Sequence, residues 1–365
     1  MKYLIYTQPD DAHAVIVKLV LEELGHEVQL WFAADQPSLL THSVSVNLHR
    51  TFWASSDHMP EYGLSEFDVI WHRRVDQPKV PKHLTHPGDY TFVIRENRLF
   101  LDSITSLLST QAWWVNDPLA ARRANSKLLQ LHLAKKCGLQ IPATLCSNSP
   151  QDIKSFIKAY QKEGVIYKAL CPNIWAEKAN LKALYTAIID AKQLPSDEVL
   201  KLTPGIYQPY VKKKYELRVN CFGKDCVATK VNSQEQENSK IDWRASSEDT
   251  LSIEPYHLPQ SIEFKLQSLM RQLGLAFGCI DMIVSPENEY IFLEINEQGQ
   301  FLWIEEMEPN ILLLDRFVNF MQHRSFYFNW NPREANIRLK DYQRDTIQQV
   351  KENMAQHVYE NLPRA

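Results

Sequence analysis

Glycine is scarce in this chain, ten residues in 365, and that scarcity removes the commonest nucleotide-binding devices. Neither a P-loop pattern nor the glycine fingerprint of dinucleotide-binding folds occurs, so no glycine-rich loop is available as the main phosphate cradle. No apolar run approaches the ~20 residues needed to cross a bilayer. The N-terminus MKYLIYTQPDDAH also lacks a basic-then-apolar export segment. These absences predict a soluble, cytoplasmic protein that makes no membrane contact. A net charge of −4 gives no general attraction for nucleic acid. Six cysteines (Cys137, Cys146, Cys171, Cys221, Cys226 and Cys279) are scattered without metal-ligand spacing, which predicts reduced, mostly buried thiols.

What the chain does have is alternating strand and helix patterning. KYLIYT, a helix over Ala12 to Leu24, HEVQLWF, DVIWHRR, a helix around Glu96 to Leu108 and AWWVN predict an α/β lobe over residues 1–115 with a largely parallel sheet. Between them, Pro37 to Tyr62 reads as a long loop or a short antiparallel excursion. A second lobe, 116–204, begins with Pro118 at a first helical position behind Asn116 or Asp117 as cap. Its helix is predicted to run to Cys137, with Gly138 ending it. On that helix Ala120, Ala124, Lys127 and Leu131 share a face, which places a lysine on the apolar side. Strand ATLCS, a helix over Gln151 to Tyr160 and strand GVIYKAL follow, the last carrying Lys168. The third segment, 205–328, is strand-rich around one helix, Gln260 to Leu273. In the charged tail, 329–365, Ile347, Val350, Met354, Val358 and Leu362 form a stripe for packing on the body or on a second subunit. The fold class is therefore α/β, turning to α+β in the C-terminal lobes.

The strongest chemical signal is GCIDMIVSPENEYIFLEINEQGQFLWIE, residues 278–305. Ser285 to Asn288 read as a turn between two apolar strands. If Val284 then faces Glu289, Asp281 lies opposite Phe292, and alternation puts Asp281, Glu294 and Asn296 on one face. Two carboxylates and an amide oxygen suit a hard cation. Magnesium takes only one or two protein carboxylates and completes its shell with water and phosphate oxygens. A solvated hairpin face would also carry acidic residues, but these interrupt strands that are otherwise apolar.

Other segments could serve a nucleoside triphosphate. Lys127 and Lys168 are candidate phosphate cations, since an inward lysine needs an anionic partner; lysines that merely reach the surface are the simpler alternative. Gln208-Pro209-Tyr210-Val211 ends a strand where backbone groups could meet an adenine edge, or form an ordinary strand-to-loop junction. In YELRV, Glu216 and Arg218 share a strand face, and a guanidinium on a rigid strand suits charge developing on a transferred phosphoryl group. A surface cross-strand ion pair has the same pattern. Arg244, beside Trp243, is a second such arginine.

In this order the segments resemble the ATP-grasp superfamily of carboxylate–amine ligases from about Trp114 to Glu305, and the preceding α/β lobe fits that family's first domain. In detail the sequence is similar to the microviridin-type, or graspetide, synthetases that macrocyclise ribosomal peptides. ENRLFLDSI, WVNDPLAARRANSKLLQLHLAKKCGLQIPATL, IYKAL, YQPYVKKKYELRV, VNSQ with Asp242-Trp243-Arg244, and LEINEQGQFLWIE carry that likeness. The resemblance implies an ATP-grasp fold with ATP and Mg2+ as cofactors. Lys127 and Lys168 match the lysines on ATP phosphates; Gln208, Tyr210 and Val211 match the adenine hinge. Glu216 matches the acidic position after the hinge, near ribose or substrate. Arg218 matches the arginine near the γ-phosphate, and Asp281, Glu294 and Asn296 match the magnesium ligands. The loop CPNIWAEKAN departs from many superfamily members in lacking glycines over the phosphates.

The implied reaction activates Asp or Glu side chains of a precursor peptide, bound through its leader, as acyl phosphates that a Ser, Thr or Lys side chain of the same peptide displaces. A homodimer is implied as well. Two other functions fit the same residues: a ligase adding a free amino acid such as glutamate to an acceptor, and a nucleotide- or peptide-binding regulator without turnover. QFLWIEEMEP, aromatic and acidic, fits peptide contact or a buried loop beside the hairpin.

Overall fold

A computed structural model describes residues 1–55, 62–63, 66–108, 110, 112–171, 174–177, 180–183, 186–189, 192, 194–235 and 251–359. The chain opens as β1 (Lys2–Thr7), α1 (Ala12–Glu23) and β2 (Glu27–Phe32), with the Asp11 side chain capping α1 by accepting from His13 N. The excursion that follows is antiparallel: β3 (His42–Val46), β4 (Thr51–Ser55) and β5 (Tyr62–Gly63). Then come β6 (Val69–His72), α2 (Tyr90–Leu108) and β7 (Trp113–Val115). The parallel sheet is ordered β2-β1-β6-β7. Helix α2 begins ahead of the predicted Glu96, at Tyr90, because Leu101, Ile104 and Leu108 anchor its inner face and the two turns before them simply continue it.

The single helix predicted from Pro118 to Cys137 is two, α3 (Pro118–Ala124) and α4 (Lys127–Lys136). Ser126 breaks it by becoming a second N-cap, its hydroxyl accepting from Leu129 N at 3.4 Å, while Gln130 Nε2 donates to Ala124 O at 2.7 Å across the gap. Lys127 is thus the first residue of a helix and no part of an apolar stripe. Both helices, placed with the second lobe by the sequence, pack with the C-terminal elements instead, α4 on β18 and α7 and α3 on α7.

The central segment carries β8 (Leu145–Ser147), α5 (Pro150–Ala159), β9 (Val165–Lys168), a separate hairpin of β10 (Ile174–Glu177) with β11 (Asn180–Ala183), β12 (Ala187–Ile188), α6 (Asp197–Leu202) and β13 (Gly205–Pro209), and β8, β9, β12 and β13 make its sheet. Its order is β12-β9-β13-β8, over a small core of Ile153, Ile157, Val165, Leu200 and Tyr207.

Next come β14 (Tyr215–Phe222), β15 (Asp225–Val231), β16 (Ile253–Tyr256), α7 (Gln260–Leu273), β17 (Phe277–Val284) and β18 (Tyr290–Asn296). They form an antiparallel sheet in the order β16-β15-β14-β17-β18. One face, with Leu217, Val219, Ile280, Met282, Phe292 and Ile295, packs on residues of α4 and α7. Helix α7 ends at Gly274 in the left-handed region (φ 76°), as Gly at that position favours.

At the far end of this sheet Phe222 and Phe277 interlock with Phe301, Phe317 and Phe320 from the segment carrying α8 (Leu302–Met307) and α9 (Leu313–His323). The same core includes Tyr3, Ile5 and the inner face of α1, so the first and last thirds of the described chain share one interior. QFLWIEEMEP lies in it: Phe301, Leu302, Ile304 and Glu305 are buried, and Glu305 accepts from Leu314 N and Leu339 N.

Two expectations need correction. Cys221 and Cys226 are disulfide-bonded, not reduced; the register of β14 and β15 sets them directly opposite each other around a tight turn. The tail helix α10 (Gln343–Gln356) packs on α1, but through Thr346, Val350 and Asn353, while Ile347 is 57% exposed. Leu362 lies outside the described residues. Asp35 holds the end of the tail by accepting from His357 Nδ1 and Val358 N, each at 2.7 Å. Among the described residues no helix is long and apolar enough to cross a membrane.

Burial pulls the imidazoles of His42 and His72 down from the ordinary 6.5 to about 4. The unfolded chain therefore binds protons below pH 6.5 that the fold refuses, and stability is lost as pH falls from 6.5 towards 4. Each histidine is expected to contribute roughly 1–2 kcal/mol of that loss at pH 5. Urea unfolding at pH 7 and pH 5 should show a smaller acid loss in the double variant His42→Gln/His72→Gln than in the wild type; equal losses would contradict it.

Candidate active site

The acidic hairpin reaches its face by a different register from the simple one. Val284 pairs with Tyr290, so the connecting loop has one more residue than the predicted turn, closed by Ser285 N donating to Glu289 O at 3.0 Å. Ser285 Oγ accepts from Glu287 N and Glu289 N, and Asn288 takes the left-handed conformation (φ 63°). The extra loop residue alone would turn Glu294 away from Asp281. A β-bulge between Asp281 and Met282, with Leu293 the extra residue on β18, turns it back: Met282 pairs with Phe292, but Asp281 pairs with Glu294 and Cys279 with Asn296. Phe292 and Ile295 point into the core while Leu293 and Glu294 both face the other way.

That other way is an open cleft of about 600 Å³, solvent included, between the central and C-terminal sheets. Lys168, Gln208, Tyr210 and Val211 reach it from β9 and the end of β13; Glu216, Asp281 and Glu294 reach it from β14, β17 and β18. Pro142, Ile166, Ile283 and Leu293 supply apolar walls. An apolar slot with a few polar groups at one end is the usual form of a small-molecule site.

The charged groups are already engaged with one another. Arg218 Nη1 donates to Asp281 Oδ1 at 2.9 Å and Nη2 to Gln300 O at 3.0 Å, with the side chain nearly buried. Lys127 pairs with Glu294, so it meets the cleft through that carboxylate. Lys213, which the sequence placed only in a basic loop, lines the cleft and donates to Glu216 Oε1 at 2.7 Å, both side chains being buried. Burial pushes the Glu216 carboxyl above its usual range, and the Lys213 ammonium opposes the shift. No sequence signal marks Lys213: strand alternation from Glu216 points to Lys214, and Lys213 lies ahead of β14.

Asn296 shares the face of Asp281 and Glu294 but stands at its exposed end, with Oδ1 accepting from Gln298 N at 3.0 Å, and is absent from the cleft lining. Arg244 lies outside the described residues. Behind the hairpin the buried Asn116 donates to Phe277 O and Glu297 O and accepts from Ala276 N and Phe277 N.

Two carboxylates paired across adjacent strands and facing one cleft fit magnesium, whose needs they meet without a third. Among the described residues no group of three or more His, Cys, Asp or Glu is arranged around a metal.

Two antiparallel sheets closing on a charged cleft, behind an α/β lobe, define an ATP-grasp ligase, and the chain is one. It is similar over 89% of its length to 97% of a Chryseobacterium gregarium RiPP-associated ATP-grasp ligase solved with ADP and a leader and core peptide (27% identity, TM-score 0.80). It also covers, with 89% of its length, all of macrocyclase MdnC from Microcystis aeruginosa MRC, solved with precursor peptide MdnA (26% identity, 100% of that chain, TM-score 0.77). The fold extends to macrocyclase MdnB of the same organism (24% identity, 90% of this chain and 99% of that chain, TM-score 0.72). No protein-family model matches the chain, and no curated protein matches it in sequence. The likeness thus lies with the microviridin-type, graspetide-forming ligases.

Proposed function

We propose that this enzyme uses ATP to activate Asp or Glu side chains of a ribosomal precursor peptide and joins them to Ser, Thr or Lys side chains of the same peptide, closing macrolactone or macrolactam rings. The observation that carries the proposal is the meeting, in one cleft, of Lys168 from one sheet with Asp281 and Glu294 from the other, with Arg218, outside the cleft lining, bonded to Asp281. The peptide-bound relatives support the substrate class.

Base and ribose fit the apolar end, between Ile166 on one sheet and Ile283 and Leu293 on the other, with the strand end Gln208 to Val211 at its edge. Lys168 and Lys127 hold phosphate oxygens, Lys127 by exchanging its ion pair with Glu294 for one with the nucleotide. Asp281, Glu294 and Asn296 hold magnesium, which when bound neutralises charge on the terminal phosphates. Arg218, fixed on a strand, faces the charge that develops as the γ-phosphoryl group passes to the substrate carboxylate, and Arg244 is a second arginine in that role. ADP leaves, and the peptide hydroxyl or amine displaces phosphate from the acyl phosphate. No protein nucleophile is needed, so rate comes from positioning and electrostatics. Glu216, held by Lys213, borders the ribose or the substrate. Division of the chain after residues 115, 204 and 328, a homodimeric assembly and a cytoplasmic location belong to the same proposal.

Mass spectrometry of a leader-bearing precursor incubated with enzyme, ATP and magnesium is expected to show loss of one water per ring. An unchanged precursor with glutamate incorporated into another acceptor would replace this function with amino-acid ligation. ATP binding without ADP release for any peptide would make the protein a regulator.

A further inference from the structure

Residues 298–302, the stretch that leaves the acidic hairpin and enters α8, are held through five consecutive backbone positions, and most of the grip comes from the N-terminal lobe. Arg73, at the carboxyl end of β6 and 0% exposed, donates from Nη1 to Gln298 O at 2.7 Å and Gly299 O at 3.1 Å. Its Nε is fixed at 2.6 Å by Oδ2 of Asp11, the N-cap of α1. His13 Nε2 accepts from Phe301 N and Leu302 N, both at 3.1 Å. Burial, reinforced by Arg73, lowers the His13 imidazole to about 3, which keeps that nitrogen an acceptor near neutral pH. The middle group, Gln300 O, receives Arg218 Nη2. From the other side Gly299 sits so close to Cys279 that an added Cβ would lie 2.7 Å from the Cys279 Cβ. The loop therefore has little freedom of position.

Arg218 donates to Asp281 and to Gln300 O, and these bonds fix the direction of its guanidinium. We propose that Arg73 is a positioning residue for phosphoryl transfer: it fixes the 298–302 loop from the N-terminal sheet and, through Gln300, aims Arg218. This rests on the reading of the cleft as the ATP site. An arginine is required because one planar guanidinium serves a carboxylate and two carbonyls at once, which an ammonium on a flexible stem cannot do at the same points.

The test compares Arg73→Lys with Arg74→Ala, whose arginine belongs to the same strand end but pairs with Asp10. Arg73→Lys is expected to lower kcat for ADP formation at least about tenfold with KM for ATP within about twofold, since a misplacement of about 1 Å at a catalytic group costs up to about a hundredfold. Hydrogen exchange at the amides of Phe301 and Leu302 should quicken at least about tenfold, and Arg74→Ala should change neither. An unchanged kcat with a loosened loop, or a lowered kcat with exchange unaltered, overturns the proposal. If Arg73→Lys does not fold, Gly299→Ala disturbs the same loop from the Cys279 side and is read in the same way. Wild-type enzyme that turns over no ATP removes the ligase reading and this role with it, while exchange at 301 and 302 still reports whether Arg73 holds the loop.

Discussion

Asp281→Asn is expected to reduce ADP formation by about a thousandfold or more while leaving a folded protein, because two functions converge on one carboxylate. Asp281 is 8% exposed, faces the cleft and stands directly across the strand pair from Glu294. Its Oδ1 also orients Arg218. Asparagine keeps an oxygen for the Arg218 bond, so the arginine is not left as a buried charge without an acceptor, and Gln300 O still holds the other end of the guanidinium. What the substitution removes is negative charge on the face proposed to hold magnesium. Glu294→Gln removes the other charge and with it the ion pair of Lys127, so the two variants should fail alike although one carboxylate is nearly buried and the other is more open. Nucleotide titrations separate the effects. Binding of ADP in the presence of a chelator should change by less than about threefold, whereas the gain in affinity on adding magnesium should disappear. A variant that keeps more than about a tenth of wild-type turnover, with normal thermal unfolding, would remove Asp281 from the metal site.

The acidic hairpin was legible in the sequence for a reason that includes a coincidence of parity. The turn chemistry of Ser285 to Asn288 and the apolar strands around it show where the hairpin is, but not that the loop carries one extra residue or that a bulge separates Asp281 from Met282. Each departure by itself reverses the faces of β18; together they restore them, so Asp281, Glu294 and Asn296 share a face although the pairing of Asp281 with Phe292 does not occur. The parallel sheet and α7 were readable because buried strands and an amphipathic helix carry their signal locally. Other features were not, because distant partners decide them. The break between α3 and α4 depends on Gln130 bonding Ala124 O and, beyond it, Ile295 O and N on β18. Local helix pattern runs straight through that point. The Cys221–Cys226 bond needed the exact length of a hairpin turn, and the cleft-facing side of Lys213 needed the sheet of Glu216 to be buried. The grip of Arg73 on Gln298 and Gly299 joins the N-terminal sheet to the end of the hairpin, and no local pattern in DVIWHRR announces it.

The same long-range logic makes Asn116→Leu the substitution with the largest expected effect on stability, a loss of roughly 4 kcal/mol or more, close to the whole stability of a marginal domain. Asn116 is 1% exposed and uses its full amide: Nδ2 donates to Phe277 O at 2.8 Å and Glu297 O at 2.9 Å, and Oδ1 accepts from Ala276 N at 2.7 Å and Phe277 N at 2.9 Å. Leucine has the same branched skeleton of side-chain heavy atoms and is no smaller, so the cost is not a cavity. It is two amide hydrogens and two carbonyls left without this partner in a dry interior, each costing about 1–3 kcal/mol where no water can replace it. Aspartate cannot rescue the position, because a carboxylate would face the two carbonyls that now receive hydrogen bonds. The groups involved are the start of β17 and the residue just past β18, the open end of the acidic hairpin. Asn116 itself follows β7 of the parallel sheet, so it ties that hairpin to the first lobe. Urea unfolding of Asn116→Leu should therefore show a lowered midpoint, and hydrogen exchange should quicken first at Ala276 and Phe277. A loss below about 1 kcal/mol would mean that solvent already reaches these groups and that the junction between the lobe and the hairpin is looser than its hydrogen bonds imply.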